Sequence, residues 1–221
     1  MTEEVTVATP YGAGRLVLAR ADEACADGAT LLLSHGAGKG IDAVDLAALA
    51  AGLPPHGVSV ALFEQPWVAA GRKVASAPAT LDVGLRAAAA SLAASRTAGP
   101  LVVGGRSAGA RSAARCAAGL GAAGCLALSF PLHPPGRPER SRLDELAGAG
   151  VPTLVLQGER DAMGRPEEFP GGLPGLRLVV VPYADHGLAV PARAPLSRTE
   201  ALHLVVDETA AWISSTVLGN H

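Results

Sequence analysis

A serine, an aspartate and a histidine follow three apolar runs of this chain: Ser107 after Leu101–Gly104, Asp161 after Thr153–Gln157, His186 after Leu176–Val181. A hydroxyl is a weak nucleophile at neutral pH and needs a base to take its proton. An imidazole can be that base, and a carboxylate fixes its tautomer and stabilises its protonated form. The serine carries the most local information. Gly105-Arg106-Ser107-Ala108-Gly109 fits G-x-S-x-G between an apolar run and an alanine-rich helical segment. Such a turn projects its hydroxyl into open space. Its glycines stand where a β-carbon would strike the adjoining strand or helix. The first N–H groups of the helix then favour developing negative charge. Together these residues point to nucleophilic acyl chemistry.

Each role has rivals. Among histidines, His56 lies in a Pro-Pro-His-Gly turn, His203 within the last predicted helix, and His221 ends the sequence. His133 also follows an apolar run, but its flanking prolines suggest a rigid pocket wall that touches substrate. Asp185 adjoins His186, and neighbouring side chains diverge; Glu159 is a weaker spare for Asp161. His35-Gly36-Ala37-Gly38 follows the third run, and the Ala37 N–H is expected to join the Ala108 N–H in receiving an oxyanion. Reading GAGKG as a phosphate loop fails on detail. A Walker pattern ending at Lys39 needs glycine where Leu33 stands, and serine or threonine where Gly40 stands. For substrate contacts, Trp67, Pro66 and Phe130 are candidates for an apolar wall. Arg72, Lys73 and Arg106 are candidates to attract an anionic group.

The elements that must position these residues are legible in outline. Eight strand-like runs are expected: Val5–Ala8, Arg15–Ala19, Thr30–Ser34, Val58–Phe63, Leu101–Gly104, Cys125–Phe130, Thr153–Gln157 and Leu176–Val181. The later ones read as strands buried on both faces of a parallel sheet. Leu81, Leu85, Ala88 and Leu92 form one helical stripe, with Thr80 as its N-cap. Another helix starts near Ile41 with Val44 and Ala48 facing inward, and one surrounds Leu143 and Leu146. The last opens on Ser197 and Glu200 at capping-box spacing and buries Leu202, Val205, Thr209 and Trp212. Such alternation means a mostly parallel α/β sheet covered on both faces. The first two runs are too close for a crossover and should form an antiparallel edge hairpin. In such sheets the working site lies beyond the carboxyl ends of the strands. A length of 221 residues with no repeat or long linker gives one domain over 1–221.

Composition narrows the function classes. A net charge of −2 without a basic block argues against nucleic acid. No apolar run approaches the roughly 20 residues that span a bilayer, and MTEEVTVATP lacks the order of a secretion signal. Cys25, Cys116 and Cys125 form no C-x-x-C pair, so neither a disulfide framework nor a metal site is indicated. The expectation is a cytoplasmic protein without cofactor or membrane partner, a monomer or small homo-oligomer.

With these residues in view, the chain resembles the α/β-hydrolase superfamily, and within it the small dienelactone-hydrolase-like group. It is most similar to the hydrolase-like domains of the testis-expressed and non-specific-lethal complex type. The motifs are HGAG at 35–38, Gly71–Lys73, GGRSAGAR, SFPLHPPGRPE, LQGERD and ADHG. The resemblance implies an α/β-hydrolase fold with strand order 1-2-4-3-5-6-7-8 and a Ser107–His186–Asp161 triad. Dienelactone hydrolases proper carry cysteine at the position of Ser107. Haloalkane dehalogenases and epoxide hydrolases carry aspartate there, so both activities disagree with this sequence. About twenty residues separate Phe130 from Pro152, too few for a helical lid or large cap domain. The reading is a serine esterase or thioesterase acting on a small acyl substrate. Its alternatives are an interaction domain without turnover, and a transferase or perhydrolase using the same acyl-enzyme.

Overall fold

A computed structural model describes residues 3–21, 28–38, 40–72, 76–94 and 99–219. The strands are β1 (Glu3–Thr9), β2 (Gly12–Ala19), β3 (Thr30–Ser34), β4 (Ser59–Glu64), β5 (Leu101–Arg106), β6 (Gly124–Leu128), β7 (Thr153–Gly158) and β8 (Leu176–Val181). They form one sheet in the order β1-β2-β4-β3-β5-β6-β7-β8. Only Pro10 and Tyr11 join β1 to β2, so these two pair antiparallel, and β2 pairs antiparallel with β4. From β4 onward every pairing is parallel. All eight expected runs are strands, and the order is the one the resemblance implies.

Strand periodicity divides the core in two. On β5, Val103 faces one cluster and Val102 the other; on β6, Cys125 and Ala127 oppose Leu126 and Leu128; on β7, Val155 opposes Leu154 and Leu156. Side chains alternate across a strand, so apolar residues at successive positions need a cover on each face. One cover consists of α3 (Pro78–Ala94), α4 (Ala108–Cys116) and α5 (Leu143–Ala147); the other is α1 (Val44–Gly52) and α6 (Arg198–Trp212). A one-turn α2 (Pro66–Ala69) follows β4. Buried in so apolar a layer, the Cys125 thiol is pushed up to about 12, which makes it a packing group and no nucleophile.

Four local expectations need correction. Helix α3 begins at Pro78, so Thr80 lies inside it and does not cap it; proline fits the first turn because its missing N–H has no helical partner there. Helix α1 turns Asp45, Leu46 and Leu49 inward and leaves Val44 and Ala48 half-buried. A charged residue thus occupies a position that apolar periodicity cannot assign. Strand β8 is buried only in part, because it forms the sheet edge and lacks a neighbour on one side. The capping box of α6 is present: Ser197 Oγ accepts from the Glu200 N–H, and Glu200 accepts from the Ser197 N–H. Leu202 of that helix is only half-buried, while Val205, Thr209 and Trp212 are buried.

Residues 129–152, between β6 and β7, hold turns and the five-residue α5, so no helical cap is inserted between these two strands. Among the described residues no helix is long and apolar enough to cross a membrane.

A close backbone approach lies where β5 enters α4. A β-carbon on Gly105 or Gly109 would overlap the Ser34 carbonyl oxygen of β3, and one on Gly104 would come within 2.7 Å of the Leu126 carbonyl oxygen. Backbone cannot yield as a flexible side chain can. Gly109→Ala is therefore expected to cost about 3 kcal/mol, a fall of roughly 6–12 °C in Tm for a domain of this size. Gly119→Ala, with open space around its added methyl, should leave the thermal melt within about 2 °C.

Candidate active site

Ser107 occupies the turn between β5 and α4 with φ 54° and ψ −111°, a conformation costly for any residue with a β-carbon. The strain has a chemical consequence. A serine at a helix N-cap ordinarily turns its hydroxyl back onto the first N–H groups; here there is no such cap bond. The hydroxyl points outward instead, and Ser107 Oγ lies 2.9 Å from His186 Nε2. His186 Nδ1 in turn lies 2.8 Å and 3.0 Å from the two oxygens of Asp161. Asp161 is wholly buried, and its oxygens also accept from Met163 N–H at 2.8 Å and Gln157 Nε2 at 2.9 Å. A carboxylate with this donor set faces Nδ1, so Nδ1 carries the proton and Nε2 is left as the acceptor for the serine. The three side chains, distant in sequence, form one continuous hydrogen-bonded line.

Next to them stands the loop after β3. Gly36 is buried, and a β-carbon there would lie 3.3 Å from Ser107 Cβ. His35 Nε2 accepts from the Gln65 N–H at 3.0 Å, so its Nδ1 holds the proton and donates to the Gly36 carbonyl at 2.8 Å. Burial lowers the pKa of His35, in keeping with a neutral ring. A trans peptide directs its C=O and N–H oppositely. Tying the Gly36 carbonyl to His35 therefore turns the Ala37 N–H the other way. Neither the Ala37 N–H nor the Ala108 N–H, the first of α4, has a hydrogen-bond partner among the described residues.

Other expected contacts fall elsewhere. Trp67 is buried and stacks edge-on against His35 with ring centroids 5.5 Å apart, and Pro66 and Phe130 are buried. These apolar residues support the loops from within and do not form a wall open to substrate. His133 is also buried. Its Nδ1 faces the Pro134 carbonyl at 2.9 Å and its Nε2 faces Glu168 at 2.8 Å, which leaves no ring nitrogen for substrate. Arg106 keeps only 13% of its side chain exposed and is engaged with Asp45 and the His186 carbonyl, so it is not a free anion ligand. Arg72 is exposed. Lys73, Cys25 and His221 lie outside the described residues. The spare acids are occupied: Glu159 accepts from the Tyr183 N–H, and Asp185 from the Gly187 and Ala189 N–H groups.

Sequence reasoning missed Gln157, Asp45 and Glu168. Gln157 is fully buried, and its amide nitrogen meets the Phe130 and Gly164 carbonyls as well as Asp161. A buried amide at a strand end, four residues before the acid, was the available signal.

Among the described residues, no group of three or more histidine, cysteine, aspartate or glutamate side chains is arranged to hold a metal ion. A cleft of about 430 Å³ adjoins the site, lined by Gly38, Asp45, Arg106, Asp185, Gly187 and Arg198 among others. Another, of about 360 Å³, lies around Thr153 and Leu176 at the amino ends of β7 and β8, remote from the chemistry.

A mostly parallel sheet covered on both faces, with a serine on the sharp turn after β5 and no helical insertion between β6 and β7, defines the α/β-hydrolase fold. A family model described as an alpha/beta hydrolase domain matches residues 27–214, and the chain belongs to that family. No curated protein matches the sequence. Solved structures share the fold at low identity. A serine hydrolase without lid from Xanthomonas campestris is 19% identical, with 99% of this chain and 94% of that chain covered and a TM-score of 0.72. Dienelactone hydrolase from Anabaena variabilis is 18% identical, with 98% of both chains covered and a TM-score of 0.73. Est1E from Butyrivibrio proteoclasticus is 13% identical, with 97% and 99% covered and a TM-score of 0.75.

Two outcomes follow from the geometry. Gln157→Leu removes a donor from the buried Asp161 carboxylate and should lower kcat/KM for ester hydrolysis about 10- to 100-fold, measured by steady-state kinetics. The second concerns pH. The Pro134 carbonyl and then Glu168 raise the pKa of His133, whereas the Arg165 N–H and then His133 lower that of Glu168. A raised histidine stabilises the fold below its unfolded value of about 6.5 and loses this as pH rises through its folded value. A lowered glutamate stabilises above about 4.3 and loses this as pH falls through its folded value. The Tm difference between wild type and Glu168→Gln should therefore be largest between about pH 4.5 and 6.5 and shrink on either side.

Proposed function

We propose that the protein is a serine hydrolase that cleaves small ester or thioester substrates through an acyl-enzyme on Ser107. The observation that carries this reading is the line Ser107 Oγ–His186 Nε2–His186 Nδ1–Asp161, at 2.9 Å and 2.8 Å. His186 takes the Ser107 proton as Oγ adds to the substrate carbonyl carbon, and the carbonyl oxygen becomes an oxyanion received by the Ala37 and Ala108 N–H groups. Collapse expels the alcohol or thiol leaving group, which receives the proton from His186. Water then loses a proton to the same imidazole as it attacks the acyl carbon, and the reverse transfer frees Ser107 and the acid. Asp161 stays ionised throughout and stabilises the imidazolium. No metal or organic cofactor enters these steps. The adjoining cleft, with Asp185 and Arg198 on its walls, suits a short substrate with a polar substituent. Arg72 remains the candidate to attract an anionic group. A cytoplasmic monomer or small homo-oligomer, without nucleic-acid or membrane partner, completes the reading.

The similarity of HGAG, GGRSAGAR and ADHG to the testis-expressed and non-specific-lethal complex domains favours a second reading, a binding domain without turnover. One experiment separates the two. A fluorophosphonate probe should label the wild type and leave Ser107→Ala unlabelled. A panel of short-chain nitrophenyl esters, acyl-thioesters and a feruloyl ester should be hydrolysed by the wild type. The feruloyl ester is included because Est1E has been solved with ferulic acid bound. Ser107→Ala and His186→Ala should lose at least about 10³-fold in kcat/KM. A wild type that neither labels nor hydrolyses any of the panel overturns the hydrolase reading. Product analysis with added alcohol or peroxide distinguishes hydrolysis from transfer.

A further inference from the structure

Arg106 stands one residue before the nucleophile, and its guanidinium reaches three separate segments. Its Nε lies 2.9 Å from Asp45 Oδ2 on α1. Its Nη2 donates to the His186 carbonyl at 3.0 Å. Its Nη1 would stand 3.5 Å from a β-carbon built on Gly36, and its Nη2 3.6 Å from one built on Gly187. The oxyanion loop and the base-bearing loop thus both pack around one planar cation whose backbone is bonded directly to Ser107.

The base-bearing loop needs an outside restraint. Tyr183 and Leu188 both have positive φ, at 60° and 50°, without being glycine. Such residues persist only where their surroundings over-determine them. The Asp185 bonds to Gly187 and Ala189 are internal to the loop, and the Glu159 and Arg160 bonds hold only its beginning. Arg106 supplies the bond that ties the backbone of His186 itself to the elbow.

Asp45 is a costly counterion. It is wholly buried, and burial pushes its carboxyl up against the pull of Arg106 and the smaller pull of the Leu46 and Asp45 N–H groups. The contact with Nε is an attraction between charges at short range, with the N–H out of line. Buried pairs of this kind contribute little to stability compared with apolar replacements. Its benefit must be sought in geometry.

We propose that Arg106, with Asp45 as its buried counterion, is a positioning residue that holds the His186 loop and the oxyanion loop in register with Ser107. This rests on the acyl-enzyme reading for its kinetic consequences but not for its structural one. Planarity is essential, because one guanidinium offers divergent donors in fixed directions whereas an ammonium is a single point.

The test has two arms. Hydrogen–deuterium exchange should show residues 183–189 losing protection at least about 10-fold in Arg106→Gln while β3, β5 and β6 keep theirs. This arm is independent of turnover; unchanged protection overturns the proposal, whatever the assays on the wild type give. Ester kinetics form the second arm. Arg106→Gln should lower kcat about 100-fold, as small misplacements of reacting groups do, with KM changed less than about threefold. Arg106→Lys should recover part of that loss, and the near-isosteric Asp45→Asn should lower kcat about 10-fold with Tm close to wild type, which covers the case of Arg106→Gln misfolding. A rise in KM with kcat intact would make Arg106 a substrate contact and overturn the positioning role. A wild type that fails to hydrolyse or label, with loop protection still lost in Arg106→Gln, would overturn the hydrolase reading and leave the clamp standing.

Discussion

The Ser34 carbonyl oxygen occupies the space that a side chain on Gly105 or Gly109 would need. That close approach of β3, β5 and α4 is the constraint on which the rest depends. It lets the chain reverse within one residue, and the residue that pays is Ser107, held at a positive φ with its hydroxyl turned away from the helix. Because the serine does not cap α4, the first N–H groups of that helix stay available. One steric fact therefore yields an outward-turned serine hydroxyl and, beside it, a backbone donor suited to negative charge.

Around this elbow, each polar member of the site is held by a buried neighbour. Gln157 holds Asp161, Asp161 holds His186, and His35 fixes the peptide that presents the Ala37 N–H. Trp67 packs on His35 and the Gln65 N–H caps it, so the loop after β3 is backed by an aromatic ring and a backbone donor. These second partners come from strand ends and short turns anchored in the sheet. Groups so fixed need little rearrangement when charge develops, which is the source of most electrostatic catalysis.

The strands were legible because their period-two burial and continuous Val and Leu runs are local signals; every one of the eight is a strand. The elbow was legible because steric necessity writes glycine at fixed positions. The order of the sheet came from resemblance, since pairing partners are not written in a local pattern. What escaped was the company of the charged residues. Asp45 sits on the inward face of α1, where periodicity expects an apolar residue, and only the approach of Arg106 from β5 accounts for it. Arg106, Trp67 and His133 looked like substrate contacts because their types favour binding. Tertiary closure instead turned them toward Asp45, His35 and Glu168. A side chain's type announces which partners it accepts, and the fold decides which it meets.

The short passage from β6 to β7 has a consequence for the proposed chemistry. Residues 129–152 hold only turns and α5, so no helix of that passage has to swing aside before a molecule reaches Ser107 or seals the pocket afterwards. On the proposed reading, bulk solvent would meet an esterified serine on the same terms as any competing acceptor, and its abundance would bias partitioning toward free acid. Traffic past that edge would then be set by diffusion and by the chemistry at the serine, with no gate from this passage to impose a rhythm of its own.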